Sequence, residues 1–112
     1  MIRPSETVLG TQLNSVWLEG ILVADPVDLS SGTPACRFRV QVPWSAVHNP
    51  PSIFLVEASE SALAGCRARL GRGGTVRIIG RLHQHRWRDP KGVVREEVKI
   101  VGEMVEPSEV LV

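Results

Sequence analysis

Trp87 stands between Arg86 and Arg88, and His83, His85 and Lys91 lie in the same short stretch. An indole ring offers a flat face on which any nucleobase can stack, and guanidinium and ammonium groups neutralise phosphates. That combination suits a single nucleic-acid strand whose bases are unpaired. The competing reading is a tryptophan packed on its own fold or on a partner subunit, with solvated arginines beside it. His83 and His85, at i and i+2, share one strand face and in principle could chelate a metal, but no third ligand stands near them in sequence. His48 is isolated, and no nucleophile–base pair has a convincing context. Catalysis is not expected, and neither a metal nor a cofactor is.

Two strands must carry this stretch. From Val76 to Leu82 the residues alternate, with Val76, Ile78 and Leu82 on one face and Arg77, Ile79 and Arg81 on the other. Asp89-Pro90-Lys91-Gly92 is turn chemistry, since proline presets φ and glycine supplies positive φ. Val94 to Val101 resumes as a second strand. The spacing predicts a long hairpin with Trp87 close to its tip.

The remaining chain supplies three more strands and one helix. Residues 1–14 read as a flexible polar lead-in, in which Val8-Leu9 could form a short edge strand. Ser15 to Ala24 is a strand that alternates up to Gly20 and is continuously apolar after it; a glycine there marks a bulge, a bend or a close backbone approach. Trp17 reads as a packed or interface residue, with a stacking role left open. Asp25-Pro26 stops this strand, and Asp28 to Pro34 is a turn. From Ala35 to Val42, Cys36, Phe38, Val40 and Val42 face one way and Arg37, Arg39 and Gln41 the other. This is a half-buried antiparallel strand whose outer arginines can touch phosphates or remain solvated. Pro43 to Ser52 is a loop, with Trp44 as a stacking residue or as a plug beneath it. Ile53 to Val56 is a short apolar strand.

Ser59 to Leu70 is the helix candidate, capped by Ser59 and closed by Gly71, with Leu63, Cys66 and Leu70 in one stripe. Gly71-Arg72-Gly73-Gly74 is a turn; the Walker spacing and its Lys-Ser/Thr pair are missing. The order is strand, strand, strand, helix, strand, strand. Read as all-antiparallel, it fits an all-β fold with one short helix: a five-stranded Greek-key β-barrel of the OB type, with an extended hairpin from its last two strands. The domain is expected over residues 15–106, with a short tail over 107–112.

Composition narrows the class of function. The chain has 112 residues, enough for one core without staples. It has no apolar run of membrane-spanning length and no signal-peptide pattern, so a cytoplasmic protein is the default. Cys36 and Cys66 lack metal-ligand spacing and read as buried reduced thiols. The net charge of +1 conceals an asymmetry: Arg67 to Arg95 holds nine Lys/Arg against one acid, Asp89, and the rest holds four bases against eleven acids. A basic segment of this kind attracts phosphate backbones, although Arg67, Arg69 and Arg72 lie away from the hairpin.

Several of these motifs together resemble the bacterial single-stranded DNA-binding proteins, the SSB family, over about Asn14 to Val105. Gly80-Arg81-Leu82-His83-Gln84-His85-Arg86-Trp87-Arg88-Asp89-Pro90-Lys91-Gly92 is similar to the family's G-x-L-x-x-x-x-W-x-D-x-x-G hairpin. Gly20 through Asp25-Pro26 resembles the end of the family's first strand, Gly32 to Val42 its second, and Gly73 to Gly80 its fourth. The resemblance implies an OB-fold that binds single-stranded DNA in replication, recombination or repair, as a dimer or tetramer. It places Trp87 on the family's stacking tryptophan and Trp44 near another. Arg37, Arg39, Arg77, Arg81, Arg86, Arg88 and Lys91 are the expected phosphate contacts.

There are departures. Pro50-Pro51-Ser52 stands where the family has a Trp-His pair, and Ala58 or Ser59 where it has a stacking Phe, which implies lower affinity and a smaller site. The family's long tail with its acidic tip is not expected after the last strand. Gly32-Thr33-Pro34-Ala35-Cys36-Arg37-Phe38 is also similar to the tailless primosomal replication protein N, a dimeric OB module of replication restart. The alternative expectation is therefore an interaction module that bridges replication or restart proteins.

Overall fold

The computed structural model describes residues 13–30, 33–43 and 51–109. Its strands are β1 (Val16–Leu22), β2 (Val27–Asp28), β3 (Cys36–Val42), β4 (Ser52–Ala58), β5 (Thr75–Arg88) and β6 (Val94–Pro107), with a short helix α1 (Glu60–Leu63) between β4 and β5. Five of them close on themselves. β1 pairs with β5, β5 with β6, β6 with β4 and β4 with β3, and β3 returns to β1 through Gln41–Ile21 and Val40–Leu22. β2 is a two-residue addition beside Arg37 and Cys36, so Asp28 belongs to a ladder rather than to the expected turn.

One seam corrects the all-antiparallel expectation. β4 and β6 run parallel, with Val56 beside Ile100, Glu57 beside Val101 and Ala58 beside Gly102. Strand directions cannot alternate all the way round a ring of five, because five is odd. One parallel pair is required, and it falls where α1 and β5 separate the two strands in sequence.

The alternating pattern of β3 fills the ring: Cys36, Phe38 and Val40 are buried and Arg37 and Arg39 exposed. Leu22, Val56, Leu63, Val76, Ile78, Ile100 and Val105 complete the core. Burial of each such side chain contributes about 1.5–3 kcal/mol. Two glycines permit the closure. A Cβ on Gly20 would overlap the Val40 side chain and the Gln41 carbonyl, and one on Gly80 would overlap the Val101 carbonyl. Gly20 is where β1 holds β5 while turning toward β3, and Gly80 is where the β5–β6 register shifts. The glycine within β1 thus marks a close backbone approach.

The helix is shorter than its apolar stripe suggests. Ser59 caps it, its hydroxyl accepting from the Ala62 N–H at 3.3 Å. Regular helix ends after Leu63, and a separate 3₁₀ turn follows at Arg67–Arg69. Gly65 lies at the break, where a helix interior would lose stability for want of a side chain. The stripe keeps its purpose, since Leu63 and Cys66 are buried and Leu70 packs on the core.

Beyond Leu82 and Ile100, the last pair that β4 still borders, β5 and β6 leave the ring as a two-stranded hairpin, and both faces meet solvent. Leu82, at this boundary, is 47% exposed instead of sharing the burial of Val76 and Ile78. The turn is the expected one: the Gly92 N–H donates to the Asp89 carbonyl at 2.9 Å, and Gly92 adopts φ +81°. Asn14 latches the base of the hairpin. Its Nδ2 donates to the Leu82 carbonyl at 3.0 Å, and its Oδ1 accepts from the Leu82 N–H at 2.9 Å. Val8-Leu9 lies outside the described residues.

Candidate nucleic-acid interface

Alternation along β5 puts Arg81, His83, His85 and Trp87 on one face of the hairpin, opposite Val101, Lys99, Glu97 and Arg95 of β6. The parallel seam carries this face on to Glu57 and Leu55 of β4, and the β3–β4 ladder continues it to Arg37 and Arg39. Two adjoining depressions run along it. One, of about 430 Å³, lies between the hairpin and the ring and is lined by Trp87, His85, Leu55, Arg37, Glu57, Glu97 and Lys99. The other, of about 520 Å³, includes Arg81, His83, Thr33, Ser59 and Glu103 and shares Glu57 and Lys99 with the first. Together they form a continuous track.

Trp87 walls the first depression and is 40% exposed. His85 stacks against it with ring centroids 5.2 Å apart and planes 18° from parallel. Leu55 supplies an apolar lining. Where the depressions meet, Glu57 is buried at 4% exposure. Arg37 Nε and Nη2 donate to its Oε2 at 2.9 and 2.7 Å, and Lys99 Nζ donates to its Oε1 at 2.6 Å. Burial pushes this carboxyl toward its neutral form, but the hydrogen bonds and charges of Lys99 and Arg37 outweigh it and hold the group below the usual carboxylate range. The result is a fixed cluster of two cations around one anion, with net positive charge.

The candidates distribute unevenly. Arg37, Arg39 and Arg81 share the face of Trp87, with Arg39 only loosely held, 3.8 Å from Glu97. Arg86 and Arg88 flank Trp87 in sequence but project from the other face, because adjacent strand residues point oppositely. Arg86 pairs there with Glu96 at 3.0 Å, and Arg88 Nη1 donates to the Gly92 carbonyl at 3.1 Å. Arg77 lies on the ring beside Glu19, at 3.5 Å, away from the track. Lys91 is exposed in the turn, its N–H bonded to Asp89 Oδ1 at 2.9 Å. Asp89 also accepts from the Val93 N–H at 3.0 Å and Arg95 Nε at 3.1 Å; these bonds, Val93's first, hold its carboxyl below the usual range. Trp44 lies outside the described residues.

Lys99, Glu57, Glu97 and Leu55 join the site without having been candidates, and His85, weighed in sequence only as a metal ligand, joins it as the ring stacked on Trp87. Glu57 left a signal, as a lone carboxylate after the run Ile53-Phe54-Leu55-Val56, where burial demands a partner. Cys36 and Cys66 are free and buried, and burial raises both thiols, which leaves them unreactive. Among the described residues no group of three or more His, Cys, Asp or Glu is placed to hold a metal, and no helix is long and apolar enough to cross a membrane.

A closed five-strand ring with this connectivity, one short helix and a basic track walled by an aromatic hairpin is an OB-fold of the class that accommodates single nucleic-acid strands. The model of the single-strand binding protein family matches residues 13–108. The chain belongs to that family, a non-catalytic DNA-binding family.

Proposed function

We propose that the protein binds single-stranded DNA along the two-depression track. Bases stack on Trp87, while Arg37, Arg39, Arg81 and Lys99 neutralise the phosphates, with Lys91 reaching the strand at the tip. The observation that carries this reading is the half-exposed Trp87 facing an apolar wall at Leu55 and the clustered cations Arg37 and Lys99. A stacked base contributes about 1–3 kcal/mol and can be of any type. Binding of this kind, without catalysis, serves to hold unwound strands during replication, recombination or repair in the cytoplasm.

The direct test is a titration with unstructured single-stranded DNA followed by tryptophan fluorescence, with duplex DNA and RNA as competitors. Quenching and preference for the single strand are expected. Trp87→Ala should weaken binding by about 1–3 kcal/mol; unchanged affinity would remove Trp87 from the site.

A second reading draws on the outward face of the ring beside the track. Trp17, Ile79 and Met104 are consecutive cross-strand neighbours on β1, β5 and β6. Trp17 is 74% exposed and Met104 50%. An outward apolar ridge across three strands suits a subunit interface, which supports a homo-oligomer, dimer or tetramer. It also suits a restart-type module that bridges replication proteins. Sedimentation as a monomer would count against both.

A further inference from the structure

The track carries two imidazoles that phosphate neutralisation by arginine and lysine leaves without a role. His83 and His85 are exposed on the face of Trp87. His85 is stacked on the Trp87 ring, and His83 lines the second depression beside Arg81 and Lys99. An imidazole is the side chain whose charge changes between about pH 5 and 8, so its contribution to a phosphate site depends on pH. We propose that His83 and His85 bind the strand as imidazolium ions, so that docking of single-stranded DNA takes up protons from solvent. This rests on the reading of the track as the DNA site.

The groups around the two rings favour such coupling. His85 stands opposite Glu97, which is shared with Arg39 across 3.8 Å. On β4, Glu57 is already engaged by Arg37 and Lys99. Arg95, next along β6, is paired with Asp89. His83 stands opposite Lys99, with Arg81 on its own strand and Glu103 across the depression. A phosphate lying among these cations places a negative charge beside His83 and favours its proton-bound form. Beside His85 a phosphate supplies the same pull, and a base on the open face of Trp87 completes a stack of base, indole and imidazolium. The proton-bound form is therefore favoured in the complex, and affinity rises as pH falls and declines as pH rises through the value at which the bound imidazoles lose their protons.

The test is the affinity for an unstructured oligothymidylate, whose bases do not titrate in this range, measured with the full chain at constant salt near pH 6 and pH 8.5. Binding about tenfold tighter at the lower pH is expected if the two imidazoles together take up on average about 0.4 proton across this interval. The double variant His83→Gln/His85→Gln should lose that dependence, so that its affinities at the two pH values differ by less than about twofold. Both side chains are exposed, and matching thermal melts would verify that the variant folds. A second readout needs no DNA: a protonated imidazole quenches a stacked indole, so part of the tryptophan emission should fall with pH in the wild type and not in His85→Gln. Binding that ignores pH, or a pH dependence that survives in the double variant, would overturn the proposal and leave the DNA site standing. No binding at either pH, even at low salt, would overturn both.

Discussion

Arg81 and Arg86 are five residues apart on one strand, both rich in donors, and face opposite ways. That difference makes their roles separable. Removing one phosphate-neutralising side chain from a single-strand complex lowers the log–log salt slope by about 0.7. Arg81→Ala should produce that change, and Arg86→Ala, whose guanidinium already serves Glu96, should leave both slope and affinity near wild type. Equal effects would mean that the strand wraps the hairpin on both faces. Glu57 makes a second residue-scale prediction. Its carboxyl lies below the usual range in the folded chain, so its stabilising contribution is fully present above the unfolded value, near 4.3, and is lost as pH falls through the lower folded value. Glu57→Gln should therefore cost about 2 kcal/mol at neutral pH, by leaving Arg37 and Lys99 without their anion, and should flatten the fall in stability below about pH 4.5. Chemical denaturation at a series of pH values measures both effects.

At the scale of elements, much of the architecture can be read from periodicity. The alternation of β3, the interruption of β1 at Gly20 and the Asp89–Gly92 turn each rest on local chemistry, and each appears where that chemistry requires it. What periodicity could not convey were relations between distant strands. The parallel β4–β6 seam follows from counting strands round a closed ring. The break in the helix follows from a competition between one glycine and a sound apolar stripe. The candidate site was legible at Trp87, Arg37, Arg39 and Arg81 as residues of one shared face, because each alternates on a strand. It was not legible at Lys99 or Leu55, which become site residues only when the hairpin and β4 are brought side by side. Gly80 tests the architecture directly. The space a Cβ would need there is filled by the Val101 carbonyl, so Gly80→Val must displace the hairpin or open the ladder. A loss of at least about 2–3 kcal/mol is expected by denaturant melting, far more than for a substitution at exposed Gln84.

For the whole molecule, the proposed reading assigns the track to the strand and the Trp17–Ile79–Met104 ridge to another subunit. Trp17→Glu places a charge on that ridge without touching the track. It should shift sedimentation toward the monomer while leaving the affinity for a short oligonucleotide within about twofold, since Trp17 lines neither depression. If short-oligonucleotide binding collapses as well, the sites are coupled. The ring also has an order of assembly written into it. β6 sits between β4 and β5, and of the ring's strands it is the last to leave the ribosome. A nascent chain that has emerged only as far as Arg88 holds β4 and β5 with bare edges and with Val56 and Ile78 facing water, and no rearrangement of what has been made can close the gap. Folding is thereby deferred until β6 has emerged. During that delay each growing chain is open to strand exchange with its neighbours on the same messenger.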